Sequence, residues 1–320
     1  MAEVFFTNRE ELDLKNTFEA LINRAEAIQS LCKDDVIPAT QLHMSDDIKL
    51  NGMDLSTLAA GHLCGKLGVP SRYFSRLIDE KKSPLAAENI NTWLEDDKRK
   101  FMLRQYDGHI RGVLSGSYSK YDAPDILKSV QDVFGPKHFK LKGSYINEER
   151  LHVRLVENEM LPIDGEDLFA GITLDSSDVG RSALSVKFFI YKQVCTNGLT
   201  IAKSGTKLFT QKHIGITSEN FKESLEEGLK SFEDIKTEVI EMIKNTHEIP
   251  VGEDLEALAE KVKNATKLSD DDVDEVLVLM ANRYEPTQWG LINGITEVAQ
   301  KFSLERRLEL EEIAGSMLAS

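Results

Sequence analysis

The hydrophobic period of this chain changes along its length, and that change constrains the fold more than any other feature. Up to about residue 97, apolar residues recur every third or fourth position. From about 100 to 194 they recur mostly every second position, interrupted by one helical stretch at 122–134. From 218 onward the three-to-four spacing returns. A period of 3.6 lays one face of a helix on a core, and a period of 2 puts alternate residues of a strand on one face. The chain therefore reads as α+β: a mainly antiparallel sheet with helix packed on one face, a helical N-terminal segment and a helical, acidic C-terminal region. Three regions are expected: 1–97 helical, 98–215 carrying the sheet, and 216–320 helical.

Within the first region, Leu12, Leu14, Phe18, Leu21, Ile22, Ala25 and Ile28 predict a helix over 8–33, with Thr7 or Asn8 as its N-cap. Leu55, Leu58, Ala59, Leu63 and Leu67 predict a second helix that stops at Gly68-Val69-Pro70, and a short third helix follows at 71–77. Helix, glycine turn and helix resemble a helix-turn-helix unit. The net acidity of the region and the commonness of the spacing favour generic packing instead. In the second region, 101–106 and 110–114 flank Asp107-Gly108 as a hairpin, and strands are expected at 137–145, 151–157, 168–174 and 183–194. In the third, Phe221, Leu225, Leu229, Phe232, Ile235, Val239 and Ile243 form a seam like that of a coiled coil or bundle, with helices to follow at 253–265, 270–283, 287–300 and 303–318.

Charge is unevenly distributed. The 39 basic and 54 acidic side chains give a net charge of −15, which would weaken a nucleic-acid reading if it were uniform. Residues 98–142, however, hold 10 bases against 4 acids, and residues 181–213 hold six bases and no acid. The stretch from 214 to the end is net −13. Three cysteines, Cys32, Cys64 and Cys195, without C-x-x-C spacing fit a reducing compartment. The N-terminus lacks a basic stretch followed by an apolar one, and no run approaches the ~18 apolar residues of a membrane span. A cytoplasmic protein with no membrane partner is expected.

Strand parity turns the charge into a candidate site. If the expected strands lie in one sheet, Lys140, Lys142, Arg154, Lys187 and Tyr191 point to one side, because the apolar neighbours of each must turn inward. Arg104 shares a face with Met102 and Tyr106. Cations that hold phosphates, interleaved with rings on which bases stack, are what single-strand binding requires. The candidate nucleic-acid-binding residues are Arg104, Arg111, Lys140, Lys142, Arg154, Lys187, Tyr191, Lys192, Lys203 and Lys207. An ordinary solvated sheet face would show the same parity.

Catalytic patterns are sparse. His62-x-Cys64 and Cys195 lack zinc-ligand spacing, and neither a G-x-S-x-G elbow nor a G-x-x-x-x-G-K-[ST] loop occurs. The acidic runs Glu95-Asp96-Asp97 and Asp270-Asp271-Asp272 fall at helix boundaries, as capping groups. Asp175 and Asp178 are the one carboxylate pair kept for a metal-dependent nuclease. No cofactor is expected.

Three segments carry a resemblance: Leu67-Gly68-Val69-Pro70-Ser71-Arg72-Tyr73-Phe74; Arg111-Gly112-Val113-Leu114-Ser115 with Tyr118 and Tyr121-Asp122; and Val194-Cys195-Thr196-Asn197-Gly198-Leu199. Trp289-Gly290 with Asn293-Gly294 is a weaker fourth. Together, over roughly 50–300, they resemble the phage/plasmid-like family of unknown function found on prophages, plasmids and integrative elements. The N-terminal helix and the acidic tail depart from the pattern. The strand-helix-strand core of that family is in turn similar to the single-strand annealing proteins of phage recombination (Erf, Sak and Red-beta), which form rings or filaments without a nucleotide cofactor. The resemblance implies a non-enzymatic protein of a phage or mobile element that binds and anneals single-stranded DNA in recombination or replication. It implies a homo-oligomer, with the acidic C-terminal region as a segment for self-association or for a replication or recombination partner. The alternatives are an interaction or assembly protein without nucleic acid, and the nuclease.

Overall fold

The computed structural model describes residues 13–15, 17–135, 138–193, 197–200, 207–211 and 217–318. Of residues 197, 198, 200 and 207 it describes the backbone alone. The strands expected from period-2 spacing form two sheets rather than one. The first joins β1 (Cys32–Pro38), β2 (Lys100–Tyr106) and β3 (His109–Ser115) in that order, all antiparallel. The second runs β4 (Phe139–Ile146), β5 (Leu151–Met160), β6 (Leu168–Ser176), β7 (Leu184–Lys192) and β8 (Asn197–Thr200), with β9 (Lys207–Gln211) pairing the other end of β7.

Each sheet has its own core. Phe101, Leu103, Ile110 and Val113 of the small sheet pack with α2 (Thr57–Leu67), α3 (Ser71–Asp79) and α4 (Ser83–Glu95). Phe139, Leu155, Ile172 and Phe188 of the large sheet pack with α1 (Phe18–Ser30), α5 (Ala123–Val133) and α6 (Ser218–Glu248). Residues 97 and 98 therefore mark no core boundary: the hairpin β2–β3 shares its core with the preceding helices, and α1 joins the large sheet. The helical spacing read through residue 33 also hid β1, whose apolar positions are too few to announce a strand.

Local chemistry sets the helix ends. Thr17 Oγ1 accepts from Ala20 N–H at 3.1 Å and starts α1, so the cap lies ten residues beyond Thr7; of the expected earlier part, 8–12 and 16 lie outside the described residues and Asp13 instead bridges to Ser144 of β4. Thr217 and Asn220 exchange side-chain and backbone hydrogen bonds in a capping box at the head of α6. The seam of α6 meets the large sheet, with α5 and α9 as further neighbours: Phe232 lies 5.1 Å from Phe188 and 5.5 Å from Phe139, centroid to centroid. Burying each such ring stabilises the fold by about 1.5–3 kcal/mol.

The last third continues as α7 (Leu255–Thr266), α8 (Asp270–Arg283), α9 (Gln288–Val298) and α10 (Leu304–Met317), each within a few residues of its expected place. Leu258, Val276, Ile295 and Leu310 lie in the same core as the large sheet. The acidic region is thus a structural layer and not a detachable tail. No helix among the described residues is long and apolar enough to cross a membrane.

Candidate nucleic-acid interface

Residues directly opposite in an antiparallel ladder share a face. Arg154 opposes Thr173, which opposes Lys187; Phe169 opposes Tyr191; Lys140 opposes Val156. Lys142 is the extra residue of a bulge between Leu141 and Gly143, and its ammonium lies 5.5 Å from the Tyr191 ring centroid and 5.9 Å from that of Phe169. Lys140, Lys142, Arg154 and Lys187 therefore lie on the Tyr191 side of the sheet, opposite the apolar face that α6 covers. Parity gathered these side chains as expected.

It did not reveal what lies on top. Helix α10 covers one half of the face with carboxylates. Arg154, 1% exposed, is ion-paired with the fully buried Glu311, which also accepts from Arg307 Nε at 2.9 Å. Lys187 Nζ lies 3.0 Å from Glu312, and Arg181 Nη2 lies 2.9 Å from Glu305. Beneath this layer Arg154 Nε donates to His152 Nε2 at 3.2 Å, and His152 Nδ1 lies 2.9 Å from Asp175 Oδ1. A ring that accepts at Nε2 is neutral and donates from Nδ1. Burial holds His152 below its ordinary value, outweighing the upward pull of Asp175, and the nearby Arg154 and Arg150 act in the same direction as burial. Burial alone would raise Asp175, but His152, Arg150 and Lys187 outweigh it and hold this carboxyl well below the usual range.

Several expected contacts are therefore internal. Arg154 and Tyr191 are buried, and Lys187 is held by Glu312. Lys192 faces the opposite side, 2.7 Å from Glu166 and 3.0 Å from Asn293. Arg104 and Arg111 belong to the small sheet, and both are buried where the two cores meet. Arg104 is gripped by Asp34 at 2.9 Å and Asp122 at 2.7 Å and donates to the Asp178 carbonyl; Arg111 donates to the Glu148 carbonyl. For Arg154, Lys187, Lys192 and Arg104 the physical reason is common: a guanidinium or ammonium removed from water persists beside counter-charge, and these have found it within the chain, while Arg111 is met by a backbone carbonyl. Lys203 lies outside the described residues, and Lys207 is described only through its backbone, opposite Lys187.

What remains open on the sheet is its other half. Lys140 is exposed, while Lys142 and Phe169 are half-buried. Met160, opposite Phe169, is 57% exposed.

The nuclease pair is not assembled. Asp175 is engaged by His152 and Arg150, and Asp178 sits at the junction of the two cores, where burial and then Asp122 push its carboxyl up to about 7. Among the described residues no three His, Cys, Asp or Glu side chains are placed to hold a metal. Asp270-Asp271-Asp272 occupy the first turn of α8 as expected, whereas Asp97, beyond the C-terminus of α4, is held by Arg99 at 2.5 Å.

A second set of cations was not singled out from the sequence. Lys98 and Lys100 are exposed at the start of β2, and Lys66 ends α2. Lys66 Nζ and the Arg99 guanidinium lie 5.5 and 5.3 Å from the Phe101 ring centroid, and burial followed by the nearby Arg99 lowers Lys66. On α3, Phe74 and Leu77 point inward and Arg72, Tyr73 and Arg76 outward. The signal was legible as the Lys98-Arg99-Lys100 run within the first basic block, but only the fold brings it beside the end of α2: Arg99 Nη2 donates to the Lys66 carbonyl at 2.6 Å.

Comparison with known proteins gives one match. The family model described as Domain of unknown function (DUF932) matches residues 111–315. No curated protein and no solved structure matches the chain.

Proposed function

The chain belongs to the family Domain of unknown function (DUF932), whose activity is open, and from that premise we propose that it is a non-enzymatic protein of a phage or mobile element that binds and anneals single-stranded DNA in recombination or replication. The observation that carries this reading is the uncovered half of the large sheet: Lys142 lies over the rings of Tyr191 and Phe169, with exposed Lys140 on the same side. An ammonium beside a ring that is itself half-accessible supplies both elements of single-strand binding, a phosphate contact and a stacking platform. The carboxylates of α10 restrict the path. Phosphates are repelled from the half that holds Glu305, Glu311 and Glu312 and are confined to the half that holds the lysines. Annealing would bring self-association into a ring or filament.

Titrating labelled oligothymidine at two salt concentrations tests this. Affinity should fall with salt, and a Lys140→Gln/Lys142→Gln variant should bind more weakly with a shallower salt slope, by about 0.7 per lost contact. Phe169→Ala should cost about 1–3 kcal/mol of binding. Absence of binding at low salt would leave an interaction or assembly protein. Magnesium-dependent cleavage lost in Asp175→Asn or Asp178→Asn would restore the nuclease.

A further inference from the structure

We propose that the N-terminal module carries a second and separate nucleic-acid site, a helix-turn-helix whose α3 docks on double-stranded DNA. Helix α2 ends on Gly68, whose φ of 71° lies in the left-handed region, and the Val69 amide returns to the Cys64 carbonyl at 2.9 Å. The turn Gly68-Val69-Pro70 leads directly into α3. Inside the angle lie Leu63, Cys64 and Leu67 of α2, Val69 of the turn, and Phe74 and Leu77 of α3, all buried. Phe74 and Leu77 are buried and Ile78 is half-buried against the core, which leaves Ser71, Arg72, Tyr73, Ser75, Arg76 and Asp79 of this nine-residue helix exposed. A helix with its side chains is about 10–12 Å across, which matches the ~12 Å major groove.

Arg72 and Tyr73 lie in the N-terminal half of α3, which such a unit turns toward base edges, and Arg76 lies in its last turn. Among the described residues no carboxylate is in ion-pair contact with Arg72, Lys98 or Lys100. Arg76 meets Glu80 at 2.7 Å across an exposed i,i+4 pair, a contact weak enough to exchange for phosphate. Lys66 adds a further indication. Its ammonium stands over the Phe101 ring, and among the described residues it meets no carboxylate, whereas the Arg99 guanidinium on the same ring is already paired with Asp97. The separate core beneath α2–α4 and β2–β3 makes the unit a rigid platform. On α3 itself Tyr73 is the one large exposed hydrophobic side chain among the described residues, while Leu85 and Trp93 are exposed on α4, so an acidic protein partner is the competing occupant that the duplex titration tests.

The full-length protein tests the proposal against a labelled 30-base-pair duplex and a single strand of equal length. Arg72→Ala/Arg76→Ala and Lys98→Gln/Lys100→Gln should each weaken duplex binding at least tenfold and reduce the salt slope by about 0.9 per lost phosphate contact. Lys140→Gln/Lys142→Gln should bind duplex as the parent does, whatever it does to single strands. Methylating guanine N7 should lower affinity, since that atom lies in the major groove. Arg72, Arg76, Lys98 and Lys100 are all exposed, and unchanged far-ultraviolet dichroism and melting temperature confirm folding. Duplex affinity that survives both N-terminal variants overturns the proposal. So does an equal loss for duplex and single strand in the α3 variant, or a duplex loss that follows Lys140 and Lys142 instead.

Discussion

Arg154 and Arg72 carry the same guanidinium into opposite surroundings. Arg154 is enclosed between the large sheet and α10, with Glu311, His152 and the Phe189 ring around it; its Cζ lies 4.9 Å from that ring's centroid. Arg72 stands on the outer side of α3 in water. Around Arg154 the large sheet answers its positive charge from within the chain, whereas the N-terminal module leaves Arg72, Lys98 and Lys100 exposed while pairing Arg76 with Glu80 and Arg99 with Asp97. A buried charge without a partner costs several kcal/mol, so the first arrangement requires the carboxylates of α10; an exposed charge is solvated and requires nothing. The difference separates a basic surface that is available to a ligand from one that is part of the fold.

The sharpest way to break this comparison is to remove one carboxylate. Glu311→Ala should destabilise the protein by about 3–5 kcal/mol, because it strands Arg154 in a dry site. Glu312→Ala, whose partner Lys187 reaches solvent more readily, should cost under ~1 kcal/mol. Equal costs in urea unfolding would mean that the sheet face is wet, and the contrast would fail.

The junction between the two regions gives a pH test. Asp178 is raised in the folded state, so it contributes stability that is present below about pH 4 and lost as pH rises toward about 7. Asp178→Asn should remove that loss, giving a gain over the parent that grows by at most about 1.4 kcal/mol per pH unit across this window. Urea midpoints at pH 5 and pH 8 measure it; a gain no larger at pH 8 than at pH 5 would contradict it. In that same variant His152 and Asp175 act with the opposite sign. Both are lowered in the folded state, so stability should fall as pH drops below about 6.5, where the unfolded His152 takes up a proton, and again below about 4 through Asp175.

The smallest effect belongs to the exposed set. Lys98→Gln/Lys100→Gln should change stability by no more than about 0.5 kcal/mol in the same unfolding experiment, since neither side chain is buried. A large loss would show that these lysines, too, belong to the fold.

Much of the architecture was legible in the sequence. The α+β class, the four helices after residue 250 and the strands around 140, 155, 170 and 188 follow from period and capping, which are local properties of the backbone. The match to Domain of unknown function (DUF932) agrees with the resemblance carried by Arg111-Gly112-Val113-Leu114-Ser115 and the Trp289 segment; the Val194-Cys195-Thr196 stretch lies outside the described residues. Strand β1 and helix α4 were missed. Cys32-Lys33-Asp34-Asp35 alternates poorly, and α4 opens on Ser83-Pro84, where proline suits a first helical turn and is an ambiguous local signal.

The sequence by itself determined which side chains share a side of each strand, because a pleated backbone alternates whatever surrounds it. That placed Lys140, Lys142, Arg154 and Lys187 with Tyr191. Tertiary structure alone decided which of them remain accessible. Glu311 reaches Arg154 across 157 residues because Leu310 and Ala314, its neighbours on α10, are drawn into the common core and fix where the helix lies. Burial is a property of the layer above a face, and nothing in a strand's own alternation encodes that layer.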